Sequence, residues 1–183
     1  MRINPIIVSV FLLVCLVSFS YSQSLDDELI EASRVGHINK VKNLIEKGAD
    51  VNARDRDGNT PLMKASVNGY KEVAEFLILS GADINAKNID GFTALMAATF
   101  NGHIDVVDLL VSKGADMEIK DKFGTTALML AAFKGHKDIA ELLISKGADI
   151  NAKDRNGNTP LRIAIINKHK DLAELLRKHG AKK

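Results

Sequence analysis

The residues best suited to chemistry are histidines. His37, His103, His136 and His169 share one register of 33 residues, with Tyr70 filling the remaining place, and such a series suggests a ladder of metal ligands. Two imidazoles on one zinc must each come within about 2.1 Å of it, whereas equivalent positions in stacked units lie roughly 10 Å apart. The histidines are therefore expected to be structural. Acidic residues recur with the same step, as Asp50, Asp83, Asp116 and Asp149 and as the pairs Glu72/Glu75, Asp105/Asp108, Asp138/Glu141 and Asp171/Glu174. Paired carboxylates do acid–base work only where their surroundings push two pKa values apart, and these pairs fall on the expected solvent face of every second helix. The sequence contains no Gly-rich phosphate loop, nucleophile elbow or clustered metal ligands. No catalytic, cofactor-binding or metal-binding residue is assigned, no cofactor is implied, and the chain is not read as an enzyme. A stand-alone hydrolase would need a site that these columns do not contain.

The spacing that dismisses chemistry organises the chain. Gly48-Ala49-Asp50 returns at 81–83, 114–116 and 147–149, and Gly180-Ala181 closes the series. Thr60-Pro61-Leu62, Thr93-Ala94-Leu95, Thr126-Ala127-Leu128 and Thr159-Pro160-Leu161 keep the same 33-residue step, each two residues after a Gly at 58, 91, 124 or 157. Self-similarity at this period is the mark of a repeat architecture. Thr60 can cap a helix whose first residue is Pro61, where the missing N–H is harmless, and Gly69 ends it. A second helix over Lys71–Ser80 puts Val73, Ala74, Leu77 and Ile78 on one face and Glu72 and Glu75 on the other, and Gly81 stops it in a left-handed conformation. Such a pair cannot bury its apolar face alone, so neighbours must stack.

At these residues the chain resembles the ankyrin repeat family, whose pattern opens Gly-x-Thr-Pro-Leu-His, places Gly-His between two helices and ends Gly-Ala-Asp-Val-Asn-Ala. The resemblance covers nearly all of residues 24–183. It implies an all-α solenoid of helix-turn-helix units joined by β-turn or hairpin connections, with repeats at 24–56, 57–89, 90–122, 123–155 and 156–183. The end units are expected to be caps: Lys40 and Asn43 replace apolar residues in the first, and Arg177 replaces one in the last. Met63, Met96, Met129 and Arg162 depart from the family's His, which puts its turn-linking hydrogen bonds in doubt while a thioether can still fill the space. Lys168 stands where Gly36, Gly69, Gly102 and Gly135 end the first helices, and a non-Gly residue in a left-handed conformation costs about 1 kcal/mol. The last unit is expected to be the loosest.

With 46% hydrophobic and 26% charged residues in 183, the composition is that of a globular chain. Met1 to Pro5 carry one Arg, Ile6 to Val17 are almost wholly apolar, and Ser18, Ser20 and Ser22 follow, the pattern of a secretory signal peptide over 1–22. Cleavage is expected after Ser22, with a cut after Ser20 as second choice, leaving one repeat domain over 23–183. An uncleaved anchor is disfavoured because a spanning helix needs about 20 apolar residues, and lipid attachment because Val14 and a continuing apolar run flank Cys15. With Cys15 in the leader the mature chain has no cysteine, so packing must stabilise it. Losing Arg2 takes one from 25 basic residues and leaves 24 against 23 acidic, too balanced for nucleic acid or an anionic membrane. The expectation is a monomer in the periplasm or outside the cell, free of membrane after cleavage.

The resemblance further implies that a protein partner contacts the concave side, formed by turn tips and the ends of the first helices. The helix-end column reads Arg34, Val67, Phe100, Phe133, Ile166; the tip columns read Arg56, Ile89, Lys122, Arg155, then Asp57, Asp90, Phe123, Asn156, then Asn59, Phe92, Thr125, Asn158. The partner-binding residues expected are Arg56, Val67, Ile89, Phe92, Phe100, Lys122, Phe123, Phe133, Arg155 and Ile166. Clustered aromatics flanked by Arg and Lys suit a binding hot spot; the alternative is that some of the rings fold down to cover the groove floor. The function read from this is a scaffold capturing a protein, with an accessory or inhibitory subunit of a specific exported enzyme, such as one of oxidative defence, as the second reading.

Overall fold

The structure is a computed structural model that describes residues 24–182; the expected leader lies outside the described residues. Among the described residues ten helices follow in order. They are α1 (24–34), α2 (Ile38–Glu46), α3 (Pro61–Val67), α4 (Lys71–Leu79), α5 (Ala94–Asn101), α6 (Ile104–Ser112), α7 (Ala127–Lys134), α8 (Lys137–Ser145), α9 (Pro160–Ile166) and α10 (Lys170–Lys178). From α3 on, odd-numbered helices stack on one another in one layer, α2 and the later even-numbered ones stack in a second, and the two helices of each unit from α3/α4 to α9/α10 pack together. No helix among the described residues is long and apolar enough to cross a membrane.

The start and stop of each helix come from the residues that repeat. Thr60, Thr93, Thr126 and Thr159 are buried, and each hydroxyl accepts the N–H three residues on, at 3.3–3.4 Å, satisfying one orphan donor of the first turn. The second helix of the second repeat ends at Leu79, one residue before the expected Ser80. There the Ala82 N–H reaches back to the Leu77 carbonyl with Gly81 between them at φ +94°, a left-handed C-cap that orphan carbonyls require.

The two layers share one core. Leu62, Leu95, Leu128 and Leu161 from the first helices meet Leu77, Leu110, Leu143 and Leu176 from the second, all essentially inaccessible. Met63, Met96 and Met129 are buried too, as expected of gap-filling thioethers, and the Met63 Sδ lies 3.5 Å from the Thr60 nitrogen. Arg162, in the last unit, is exposed instead. Lys40, Asn43 and Arg177 are likewise exposed, and Lys40 pairs with Glu28 at 2.9 Å, so the outer faces of both end units are wet.

Polar ladders tie successive units. Asp50, Asp83, Asp116 and Asp149 each turn a carboxylate onto the N–H two residues ahead. Their own N–H groups at 83, 116 and 149 donate to Asn52, Asn85 and Glu118 of the preceding unit at 2.7–2.9 Å. These aspartates are turn formers. At the tips, one main-chain bond joins each turn to the next, from Ile89 to Asp57, Lys122 to Asp90 and Arg155 to Phe123, at 2.9–3.0 Å. No strand forms among the described residues, so the β-turn or hairpin connection is a turn with a single bridging bond.

Lys168 takes φ +64° and sustains the same helix-ending bond, His169 N–H to the Ala164 carbonyl at 2.9 Å. A left-handed Lys is disfavoured relative to Gly by about 1 kcal/mol. Lys168→Gly is therefore expected to stabilise the protein by about 0.5–1 kcal/mol, raising the melting midpoint by about 2–4 °C in calorimetry. An unchanged or lower midpoint would show that the last unit is not under this strain.

Candidate protein-binding surface

The histidine series turns out to hold the concave surface in shape. His103 Nε2 lies 2.9 Å from the Val67 carbonyl, His136 Nε2 3.3 Å from that of Phe100 and His169 Nε2 3.0 Å from that of Phe133. A carbonyl can only accept, so Nε2 carries the proton in each. Each ring thus grips the last turn of the preceding first helix, at the residue whose side chain faces the concave side. No group of three or more His, Cys, Asp or Glu among the described residues could hold a metal ion. The acidic pairs on the second helices lie largely in solvent, with Glu75 half-buried.

The tips are shaped by a second column, Asp55, Asn88, Asp121 and Asp154. In each, Oδ1 accepts the N–H groups two and four residues on, at 2.8–3.0 Å, which rigidifies the turn before any partner arrives. Asp55 has an additional partner in Lys64, at 2.7 Å with both side chains 23% exposed. Burial pushes the Asp55 carboxyl up, but the Lys64 ammonium and the Asn59 donors outweigh it and bring it to about 2, from an ordinary 3.8. A carboxyl depressed in this way stabilises the fold above its unfolded pKa, and the contribution is lost as pH falls from about 4 towards 2. Lys64→Met is expected to lower stability at pH 7 by at most about 2 kcal/mol and to flatten the acid limb over that window. Urea midpoints at pH 7, 4 and 2.5 check it; parallel wild-type and variant curves would refute it.

At the C-terminal half these parts enclose a groove of about 500 Å³. Phe100, Phe133 and Ile166, from the ends of α5, α7 and α9, line it together with the tip residue Phe123. The rings of Phe100 and Phe133 stack with centroids 6.4 Å apart and planes 14° from parallel, offset-stacking geometry. Lys134 Nζ lies 4.6 Å from the Phe100 centroid, and Lys122 Nζ 5.1 Å from that of Phe123, within cation–π range. Phe123 is 61% exposed, Phe133 49% and Ile166 61%, whereas Phe100 is half-buried.

Of the ten residues expected on this surface, four therefore converge on one groove. Phe92 is half-buried outside it, and Val67 and Ile89 are exposed towards the N-terminal half. Arg56, Lys122 and Arg155 are exposed at the tips, Lys122 paired with Asp90 at 2.6 Å. Phe76 packs half-buried against the core. Sequence reasoning missed Leu130 and Ile163, which line the groove. Their column reads Lys64, Ala97, Leu130, Ile163, and its drift from polar to apolar in the last two full positions was the available signal.

Stacked helix pairs presenting a groove along the ends of their first helices define a repeat solenoid. The family description "Ankyrin repeats (3 copies)" matches residues 29–121 and 95–183, and the chain belongs to the ankyrin repeat family. Members of this family generally mediate protein–protein contact and are typically non-catalytic scaffolds. A stretch of 60 residues is 45% identical to the mitochondrial disaggregase of Bos taurus, covering 31% of this chain and 9% of that protein. The likeness thus spans under a tenth of that relative.

Proposed function

We propose that this protein is an exported binding scaffold, acting as a monomer in the periplasm or outside the cell, that captures a protein partner on its concave face without catalysing a reaction. The observation that carries the reading is the open aromatic groove of Phe100, Phe123, Phe133 and Ile166, whose exposed rings are fixed by hydrogen-bonded helix ends and tips. Large apolar side chains held rigidly in solvent are what a binding hot spot uses, because little ordering entropy remains to be lost on association. Val67, Ile89 and the tip residues Arg56, Lys122 and Arg155 extend the contact as its rim, and Phe92 supports it.

A photo-crosslinking residue at Ile166, on the groove, is expected to give one discrete adduct in cells, while the same residue at Glu141, on α8, gives none. Equal adducts from both positions, or adducts from Glu141 alone, would move binding off the concave face. Export has its own test. Fractionation should find the protein outside the cytosol with Gln23 as its first residue, and an intact leader on cytosolic protein would end that part of the reading.

A further inference from the structure

The groove has a sign of charge as well as a hydrophobic floor. Its two wall carboxylates are spent inside the turns. Asp121, 9% exposed, accepts the N–H groups of Phe123 and Thr125, and Asp154 accepts those of Asn156 and Asn158 and the Asn158 amide, all at 2.8–2.9 Å. The cations near it lie outside its lining, with Arg162 close enough for its charge to help hold the Asp154 carboxyl below its ordinary range. Lys122, Lys134, Arg155 and Arg162 are all exposed. Among the described residues Lys134, Arg155 and Arg162 make no ion pair, and Lys122 has only a bridge to Asp90 that is half in solvent. Two of the four stand over aromatic rings of the groove, so positive charge frames the apolar floor.

We propose that the occupant of this groove is an acidic segment of a partner protein, with apolar side chains seated between Phe100, Phe123, Phe133 and Ile166 and carboxylates meeting Lys134, Arg155 and Arg162. This rests on the concave-face reading above and narrows it. The groove volume falls in the range of about 300–1,000 Å³ typical of ligand sites, which suits a few side chains of one segment rather than a broad domain face. A basic segment would bring like charges together on the rim, a juxtaposition that suppresses wrong partners.

The test uses the purified protein and three fluorescein-labelled synthetic peptides read by anisotropy. One carries two Phe residues among Asp and Glu, one has Lys in place of the acids, and one keeps the acids but has Ser in place of Phe. The acidic aromatic peptide is expected to bind roughly tenfold or more tightly than its Lys twin at low salt, with the gap closing as salt screens the rim. The Phe-less peptide should bind far more weakly. Lys134→Glu with Arg155→Glu should invert the preference, and Arg155→Gln with Arg162→Gln, a milder change, should narrow it if the first variant fails to fold. Phe-dependent binding of both aromatic peptides with equal affinity would overturn the acidic proposal and leave the concave face standing. No binding by any peptide at millimolar concentration would overturn it too, while the Ile166 crosslinks would still judge the concave face on their own.

Discussion

Replacing Phe100 and Phe133 together by alanine is expected to abolish partner capture while shifting the melting midpoint by only a few degrees. Both rings belong to the helix-end column, stack on each other at 6.4 Å and line the groove. A central hot-spot aromatic commonly contributes 2 kcal/mol or more to binding, so losing two should weaken association by about a thousandfold, since every 1.4 kcal/mol is tenfold. The fold has less at stake. Phe133 is 49% exposed and Phe100 half-buried, whereas the core lies beneath them in Leu95, Leu128 and their neighbours. Truncating a fully buried Phe would cost about 3–5 kcal/mol. A drop of that size in calorimetry, more than about 8 °C for a chain of this length, would show that the rings are core and that the groove is no binding surface.

The second large effect concerns two glycines that look alike in sequence. Gly69 and Gly81 have φ of +76° and +94°, so alanine at either should lose about 1 kcal/mol to the left-handed backbone. They differ in what a Cβ would meet. At Gly81 nothing lies within 4 Å, but at Gly69 the His103 ring atoms lie at 2.6–2.9 Å. Gly69→Ala must therefore push out the ring that holds the Val67 carbonyl, leaving that link broken at a further loss of about 1–3 kcal/mol. Gly69→Ala is expected to cost about 2–4 kcal/mol and Gly81→Ala about 1 kcal/mol. In the background of His103→Ala, the Gly69 substitution should shrink to the conformational part alone. Equal losses at the two glycines in urea denaturation, or additivity with His103→Ala, would show that the ring contact carries no energy.

Much of the architecture was legible because each repeated residue does a local job that needs no distant partner. A Thr whose hydroxyl caps a helix, a Pro at its first position and a Gly with positive φ at its end act within a few residues of chain, and alignment of the units displayed them in columns. The same alignment marked Phe100, Phe123, Phe133 and Ile166 as concave, since a residue's place in its unit dictates which side it faces. It could not separate Phe92 from them. Phe92 stands in a tip column like Phe123's, yet its column (Asn59, Phe92, Thr125, Asn158) is half-buried throughout and Phe123's (Asp57, Asp90, Phe123, Asn156) exposed throughout, a difference set by how the tips stack.

The sequence by itself determined the 33-residue period, the helix pairs, the wet outer faces of the end units and the reading of the histidines as structural, since all of these follow from spacing and short-range chemistry. Only the tertiary structure decided what those histidines grip, because the carbonyl partner lies 36 residues away and exists only when two units stack. It also decided that the wall carboxylates accept hydrogen bonds within their own turns while the nearby cations stay exposed, and that the groove opens over Leu130 and Ile163. Composition counts charges and apolar residues, but a surface depends on which of them the packing leaves uncovered.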